Sequence, residues 1–555
     1  MKVARRIVTH PRTTGDTLEP ASDLSGVSRP GRADAWRFLL LFIALSLATR
    51  WLSLVVDVLD VDETAHAVGS WELMRGRVLY ADFVDNKPPL VYLYYAFAQV
   101  VFGRGLFAVH LMTAVVTVPL IAFGISAFFH HRRAGLAGGV AFLVYSAAFI
   151  GHDVLASHTE ILMLLPATWA IVLLRDEPDA LVAWRAGAAG ALVGVAALFK
   201  YPAVGWGLAL AVAIAVAGLE RRRVRATAAA LLALALGLIV PPAITWLWFE
   251  SRGAAGDLLY WTVANNVHYA RNPISAREGA GRALAYGLPF LIVTGPLWWV
   301  GRRSYSAWTY RSALIAVLIV TSILSALLGL RFYPHYFIPL YVPLAIAAAP
   351  WIADALRRPM DRQARRFVGW TAFALAGFTI ATAWLYLAPN RVYRERDPVF
   401  AEVGRFLRED PCRPGATLFV WGYAPIIYYY ADMPAASRFA VLAQARLTGY
   451  VPGNLEAERD GHGSDDQEVA AHWDLLMRDL ERSAATFIVD TAPAGIYRWD
   501  RYPIGRYPRL QAYVDERFEL AGTVRSVRIL RRRGCGRAAG RASRARDAFT
   551  KRRQE

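Results

Sequence analysis

For most of its length the chain alternates between long apolar runs and short charged breaks. The runs are close to 20 residues, the length at which a helix crosses a bilayer core of roughly 30 Å. Membrane helices are expected over 36–56, 106–129, 134–150, 161–174, 183–198, 203–219, 226–249, 286–300, 313–330, 334–352 and 367–387. That makes about eleven crossings. The run "PPLVYLYYAFAQVVF" (88–102) is short for a crossing and reads as a re-entrant or interfacial helix. Beyond Leu387 the pattern changes. Val399, Val403, Phe406 and Leu407 are spaced as on a helix over 399–410. "ATLFVWG" (416–422) and "ATFIVD" (485–490) read as strands, "APIIYYYAD" (424–432) as a short helix, and 518–532 as a hairpin.

The expected fold class is therefore an α-helical polytopic membrane protein with a small C-terminal α/β domain. Its expected parts are a basic cytoplasmic tail (1–35), a membrane domain (36–388) with an exterior loop (57–105), and an extracytoplasmic α/β domain (389–535). A disordered basic tail (536–555) comes last, and "PGNLEAERDGHGSDDQ" (452–467) reads as a mobile loop.

Charge assigns the sides. The net charge is +18, from 62 Lys and Arg against 44 Asp and Glu. Much of the excess sits in short breaks: "HHRR" (130–133), "ERRRVR" (220–225), "GRRSYSAWTYR" (301–311) and "ADALRRPMDRQARR" (353–366). Clusters of this kind mark cytoplasmic loops and require no nucleic acid. The first 35 residues are polar and hold no apolar core, so they read as a tail rather than a signal peptide. Cys412 and Cys535 are too few for a zinc pattern. One disulfide in an exported domain and two separate thiols are both open readings.

With the N-terminus inside, the reactive residue types gather on the outer face of a plasma membrane. They lie in "DVDE" (60–63), "DNKPP" (85–89), "HDVLASHTE" (152–160), "FKYP" (199–202), "NNVHYARNP" (265–273) and "RFYPHYF" (331–337). Asp62 opens a helix reaching Arg75, with Ala67, Trp71 and Met74 on one face and Asp62, His66 and Gly69 on another. That describes an amphipathic helix lying at the interface. Asp60 and Glu63 fit a loose capping box. A cap needs one carboxylate, however, and three in four positions repel one another. A carboxylate held toward a hydroxyl can take its proton. Lys87, ahead of two prolines, is either a headgroup anchor or the cation that answers these acids.

The Asp-Glu pair opening a helix, then "RGRVLYADFVDNKPPL" (75–90), then a short apolar helix ending at Phe102-Gly103 resemble the first exterior loop of a known superfamily. These are the GT-C glycosyltransferases of the protein-mannosyltransferase type, above all the bacterial members, which include the lipid A aminoarabinose transferases. The resemblance is specific over 59–103 and extends to about residue 388. It implies a GT-C fold and a polyprenyl-phosphate-linked sugar as donor. The sugar would pass to a hydroxyl of a glycan, lipid or protein. Asp62 would be the catalytic carboxylate, with Asp60 as second choice and Glu63 as its pair. Lys87 would meet the donor phosphate, helped by Arg331, His335 and Lys200. Glu160, with His158, would form a second acidic site. A departing phosphate needs cations, and attack from the opposite face gives inversion. No cofactor is implied outright, and a divalent metal on the carboxylates stays open. Thr64, Ala65 and His66 stand where the aminoarabinose enzymes carry Arg-Tyr, so the acceptor need not be lipid A.

Two other readings compete. A lipid or sugar transporter would show charged groups along its spans, or helices broken near the midplane. The spans here are rich in Ala, Leu and Val. A passive anchor for the C-terminal domain would leave the acidic loop and Lys-Pro-Pro unexplained.

Overall fold

The computed structural model describes residues 32–148, 154–267, 274–304, 309–357, 359–387, 398–441, 447–449 and 466–535. The basic N-terminal tail before Arg32, most of 452–467 and the tail after Cys535 lie outside the described residues.

Helices fall where the apolar runs do. They are α1 (Arg32–Thr49), α2 (Val61–Met74), α3 (Leu90–Phe102), α4 (Leu106–Phe128), α5 (Arg132–Tyr145), α6 (Thr159–Leu173) and α7 (Ala183–Ala197). Then come α8 (Tyr201–Arg221), α9 (Val224–Glu250), α10 (Ala276–Arg303), α11 (Tyr310–Leu330), α12 (Pro334–Ala355) and α13 (Arg362–Leu387). Among the described residues six of these, α4 and α8 to α12, are long and apolar enough to cross a membrane. The protein is a helical membrane protein.

Two backbones pack without intervening side chains. A Cβ on Gly190 of α7 would lie 2.1 Å from the Leu234 carbonyl oxygen of α9, and one on Gly237 would lie 2.0 Å from the Gly187 carbonyl oxygen. Small residues allow such approach where lipid supplies no hydrophobic drive.

The opposite end of the bundle from the acidic loop is tied by ion pairs. His130 and Arg311 meet Asp176 at 2.9 and 2.8 Å, and Arg132 meets Asp34 at 3.0 Å.

After α13 the chain builds a small α/β unit. Its elements are α14 (Pro398–Glu409), β1 (Leu418–Trp421), α15 (Pro425–Ala431), α16 (Asp466–Arg482), β2 (Phe487–Asp490), α17 (Pro508–Arg517), β3 (Phe518–Val524) and β4 (Val527–Arg532). The sheet order is β1-β2-β4-β3, with β1 and β2 parallel and the other two pairs antiparallel. β1 and β2 are buried at every position, as apolar runs require of paired parallel strands, and Asp490 at the end of β2 is paired with Arg528. The structure joins Cys412 and Cys535 in a disulfide, their Cα atoms 5.9 Å apart, and so decides between the two open readings.

The α2 helix departs from expectation. Every residue from Glu63 to Glu72 is buried, and between Val61 and Glu72 only Asp62 keeps part of its surface. The helix does not lie at a lipid interface, because the C-terminal unit covers it. Tyr429 of α15 stacks on Trp71 at 5.6 Å and donates to Asp57 at 2.8 Å. Arg104 lies over the Trp71 ring at 4.2 Å and pairs with Asp432. The Ala435 amide donates to Glu72, and Arg77 donates to the Ala435 carbonyl.

Candidate active site

Asp60 caps α2, its side chain accepting from the Asp62 amide at 2.8 Å. The next turn holds two carboxylates one position apart. Neighbouring helix residues point about 100° apart, so Asp62 and Glu63 face different surroundings.

Glu63 turns inward and is fully buried. It accepts from His110 Nε2 at 2.9 Å, the Ser157 amide at 2.6 Å and the Leu59 amide at 3.3 Å. Burial pushes its pKa up, but His110 and the Ser157 N–H outweigh burial and hold it below the usual carboxylate value. The bond to Ser157 also anchors a second stretch of chain. Ser157 meets Thr113 at 2.8 Å, and its carbonyl accepts from Tyr95. Pinned in this way, the 154–158 segment delivers His158 and Glu160 to the site.

Asp62 faces Lys87. Lys87 Nζ lies 3.0 Å from Asp62 Oδ2 and 3.4 Å from Asn86 Oδ1. Tyr80 donates to the Lys87 carbonyl at 2.7 Å, fixing the backbone ahead of the prolines. Burial alone would raise the Asp62 pKa. Lys87 first, then His66, His158 and His335, pull it well below the carboxylate range. Lys87 shifts the opposite way: burial lowers its pKa, while Asp62 and Asp85 raise it above the usual lysine value. Asp85 is raised by burial and accepts from Tyr92 at 2.7 Å.

A second acid–cation pair stands alongside. Glu160, in the first turn of α6, bonds Lys200, and His335 Nε2 is 3.6 Å from the same carboxylate. Lys200 also sits over the Tyr336 ring at 4.4 Å. The rings of His158 and His335 stack at 4.3 Å, and His158 Nε2 is 3.9 Å from Asp60. Arg331 is buried between Leu330 and Phe332, which stand at left-handed φ values of 54° and 46°. Residues other than glycine hold such angles at a cost, commonly near functional sites.

The fold thus brings Asp60, Asp62, Lys87, His158, Glu160, Lys200 and His335 into one cluster and turns Glu63 away from it. Among the described residues two sets of donors could hold a cation: His158, Glu160 and His335, or Asp60, Asp62 and His158, the atoms of each within 4.8 Å. Imidazole and carboxylate together suit a divalent transition metal.

Two residues escaped the sequence reading as site members. His66, one turn from Asp62, is buried edge-on to Tyr92 and Tyr95, and among the described residues neither ring nitrogen has a hydrogen-bond partner. Burial lowers its pKa to about 3. Its helical spacing from Asp62 was the available signal. Tyr423 comes from the C-terminal unit, its hydroxyl 3.5 Å from Asp62 Oδ1. No local pattern connects positions so far apart in the chain.

No protein-family model and no curated protein sequence matches the chain. Among solved structures, ArnT from Cupriavidus metallidurans bound to undecaprenyl phosphate aligns with a TM-score of 0.54 at 15% identity, over 89% of this chain and 98% of that one. The apo state of that protein gives 0.53 at 14%, with the same coverage. The oligosaccharyltransferase AglB from Archaeoglobus fulgidus, in complex with an inhibitory peptide and a dolichol-phosphate, gives 0.47 at 11%, over 88% and 72%. The likeness to ArnT is one of fold, and it runs through the membrane helices into the C-terminal unit. The chain shares the fold of ArnT, the kind of fold that the resemblance of residues 59–103 implied.

Proposed function

We propose that the protein is an integral membrane glycosyltransferase that moves a sugar from a polyprenyl phosphate to an acceptor hydroxyl at the outer face, with inversion. One observation carries this reading: Asp62, the partly open carboxylate of α2, shares a cluster with Lys87, Lys200 and His335. A proton acceptor and phosphate-binding cations stand side by side. The solved ArnT structure that shares this fold is bound to undecaprenyl phosphate, which suits the same donor class.

In the reaction the bond between the anomeric carbon and the phosphate oxygen breaks, and its electron pair leaves with the phosphate. Lys87 and Lys200 supply positive charge to that oxygen, where a preorganised cation is most effective, and His335 stands beside them. The acceptor oxygen bonds to the anomeric carbon from the opposite side, and Asp62 takes its proton. Lys87 links the two halves. Paired to Lys87, Asp62 is a weak base. When Lys87 turns to the arriving phosphate, the pair loosens and Asp62 gains basicity as the donor binds. A divalent cation held by His158, Glu160 and His335 would add Lewis-acid charge beside the phosphate. Glu63 holds the 154–158 segment in place and does not meet substrate.

The C-terminal unit supports the exterior side. Disulfides persist in oxidising compartments, and the unit that carries Cys412–Cys535 covers the site loop. Site and disulfide then share one side of the membrane. The reading is tested by supplying labelled undecaprenyl-phosphate sugars to membranes containing the protein. Label should pass to an acceptor with the parent chain and not with Asp62→Asn. A parent that only moves the labelled lipid across the bilayer would make it a transporter.

A further inference from the structure

The two oxygens of Asp62 have different neighbours. Oδ2 faces Lys87, and Oδ1 faces the hydroxyl of Tyr423 at 3.5 Å. Tyr423 lies just beyond β1, one of the two parallel strands of the C-terminal unit. In α/β sheets the carboxyl ends of parallel strands are where ligands bind. Here that edge is turned onto the reactive carboxylate of another part of the chain.

The edge is built to hold Tyr423 in place. Gly422, before it, stands at φ +152°, and a Cβ there would fall 1.9 Å from Thr491 Oγ1. Thr491 comes directly after β2 and bonds the Trp421 carbonyl through both its amide and its hydroxyl, at 3.1 and 3.0 Å. The two strand ends are thereby clasped together. Downstream of β2, Tyr497 and Arg498 both adopt left-handed backbone, at φ 49° and 62°. The Tyr497 ring packs edge-on to Tyr423 at 5.5 Å. Strain on two successive residues other than glycine, beside a residue touching the site, has the cost expected of a functional wall. The unit is also seated firmly enough to act as one, through the Tyr429–Trp71 stack and the bonds to Glu72 and Asp57.

We propose that the carboxyl edge of the β1–β2 pair is the acceptor-side wall of the active site, with Tyr423 positioning Asp62 Oδ1 and the incoming hydroxyl. This deepens the transferase reading and rests on it. Lys87 marks the donor side of Asp62 and Tyr423 the acceptor side. The acceptor hydroxyl enters between Tyr423 and Oδ1, and the C-terminal unit selects what may present it.

The test uses the full chain in lipid nanodiscs, with labelled undecaprenyl-phosphate sugar as donor. Membranes of the source cells, supplied in rising amounts, provide the acceptor. Binding of undecaprenyl phosphate is measured in parallel. Tyr423→Phe, which keeps the ring, should raise the amount of acceptor membrane needed for half-maximal rate by about 3- to 10-fold, as fits the loss of one long hydrogen bond. Undecaprenyl phosphate affinity should stay at the parent value. Tyr497→Ala should act in the same direction. Parental acceptor demand in both variants would overturn the proposal, as would a loss matched by equal loss of undecaprenyl phosphate binding. Asp62→Asn separates the two levels. If it transfers sugar normally, the transferase assignment of Asp62 fails first. If it is inactive while both tyrosine variants behave as the parent, only the acceptor wall fails.

Discussion

The two ends of the helical bundle carry ion pairs of similar make-up and different character. At one end Asp176 meets His130 and Arg311, with all three side chains a quarter to a third exposed. At the other, Glu160 and Glu63 are sealed from solvent, while Asp62 and Lys87 keep 20% of their side-chain surface open. Solvated pairs contribute little and cost little. Buried charges cost several kcal/mol each to desolvate, and the chain bears that cost where it gathers both signs around Asp62. The sealed carboxylates Glu63 and Glu160, more than the number of charges, set the proposed site apart from the fastening at the far end.

The sharpest way to break this comparison is Asp62→Asn. Removing a general base costs about 10²–10⁴-fold in rate. The fold should survive, since Asp60 rather than Asp62 caps the helix. Wild-type transfer by this variant would put the base elsewhere. Lys87→Ala comes next: transfer should fall by about 10²-fold, as for loss of one preorganised charge contact. Undecaprenyl phosphate binding should weaken with it, and unchanged binding would remove Lys87 from the phosphate. Glu63→Ala should act on stability. Leaving His110 and the Ser157 amide without their partner should cost about 3–5 kcal/mol, seen as a lowered Tm. A loss of rate at full stability would instead make Glu63 a reacting group.

Acid should act the same way more gently. Asp62 and Glu63 both have depressed pKa values in the folded chain. Their stabilisation is fully present above the unfolded carboxylate range near pH 4, and is lost as pH falls through the lower folded values. Thermal unfolding from pH 8 down to about pH 5 should therefore show no loss from this pair. The smallest effect belongs to the far end: Arg311→Ala should change stability by about 0–1 kcal/mol and leave transfer unaltered. A large loss there would erase the contrast.

Much of the architecture was legible because lipid and packing impose simple periods. Each apolar run became a helix, and both buried strands were visible as unbroken "LFVW" and "FIVD". The Asp62 and Lys87 loops were legible through residue type and spacing. What could not be read was the covering of one segment by another. The α2 face holding Trp71 looked ready for lipid and instead receives Tyr429. Tyr423 reaches Asp62 from 361 positions away, and Cys412 finds Cys535 across 123. Such contacts depend on tertiary docking, to which local periodicity is blind.

The close approach of α7 and α9 at Gly190 and Gly237 reaches further than its size implies. Gly190 lies in the helix that ends just before Lys200, about 10 Å along the axis from that end. A methyl group at either glycine must push α7 and α9 apart, and α7 would carry Lys200 with it, shifting it relative to Glu160. The spacing of the Lys200–Glu160 pair is thus set by two hydrogen atoms within the bundle, and a mutation that touches no residue of the cluster would still shift it.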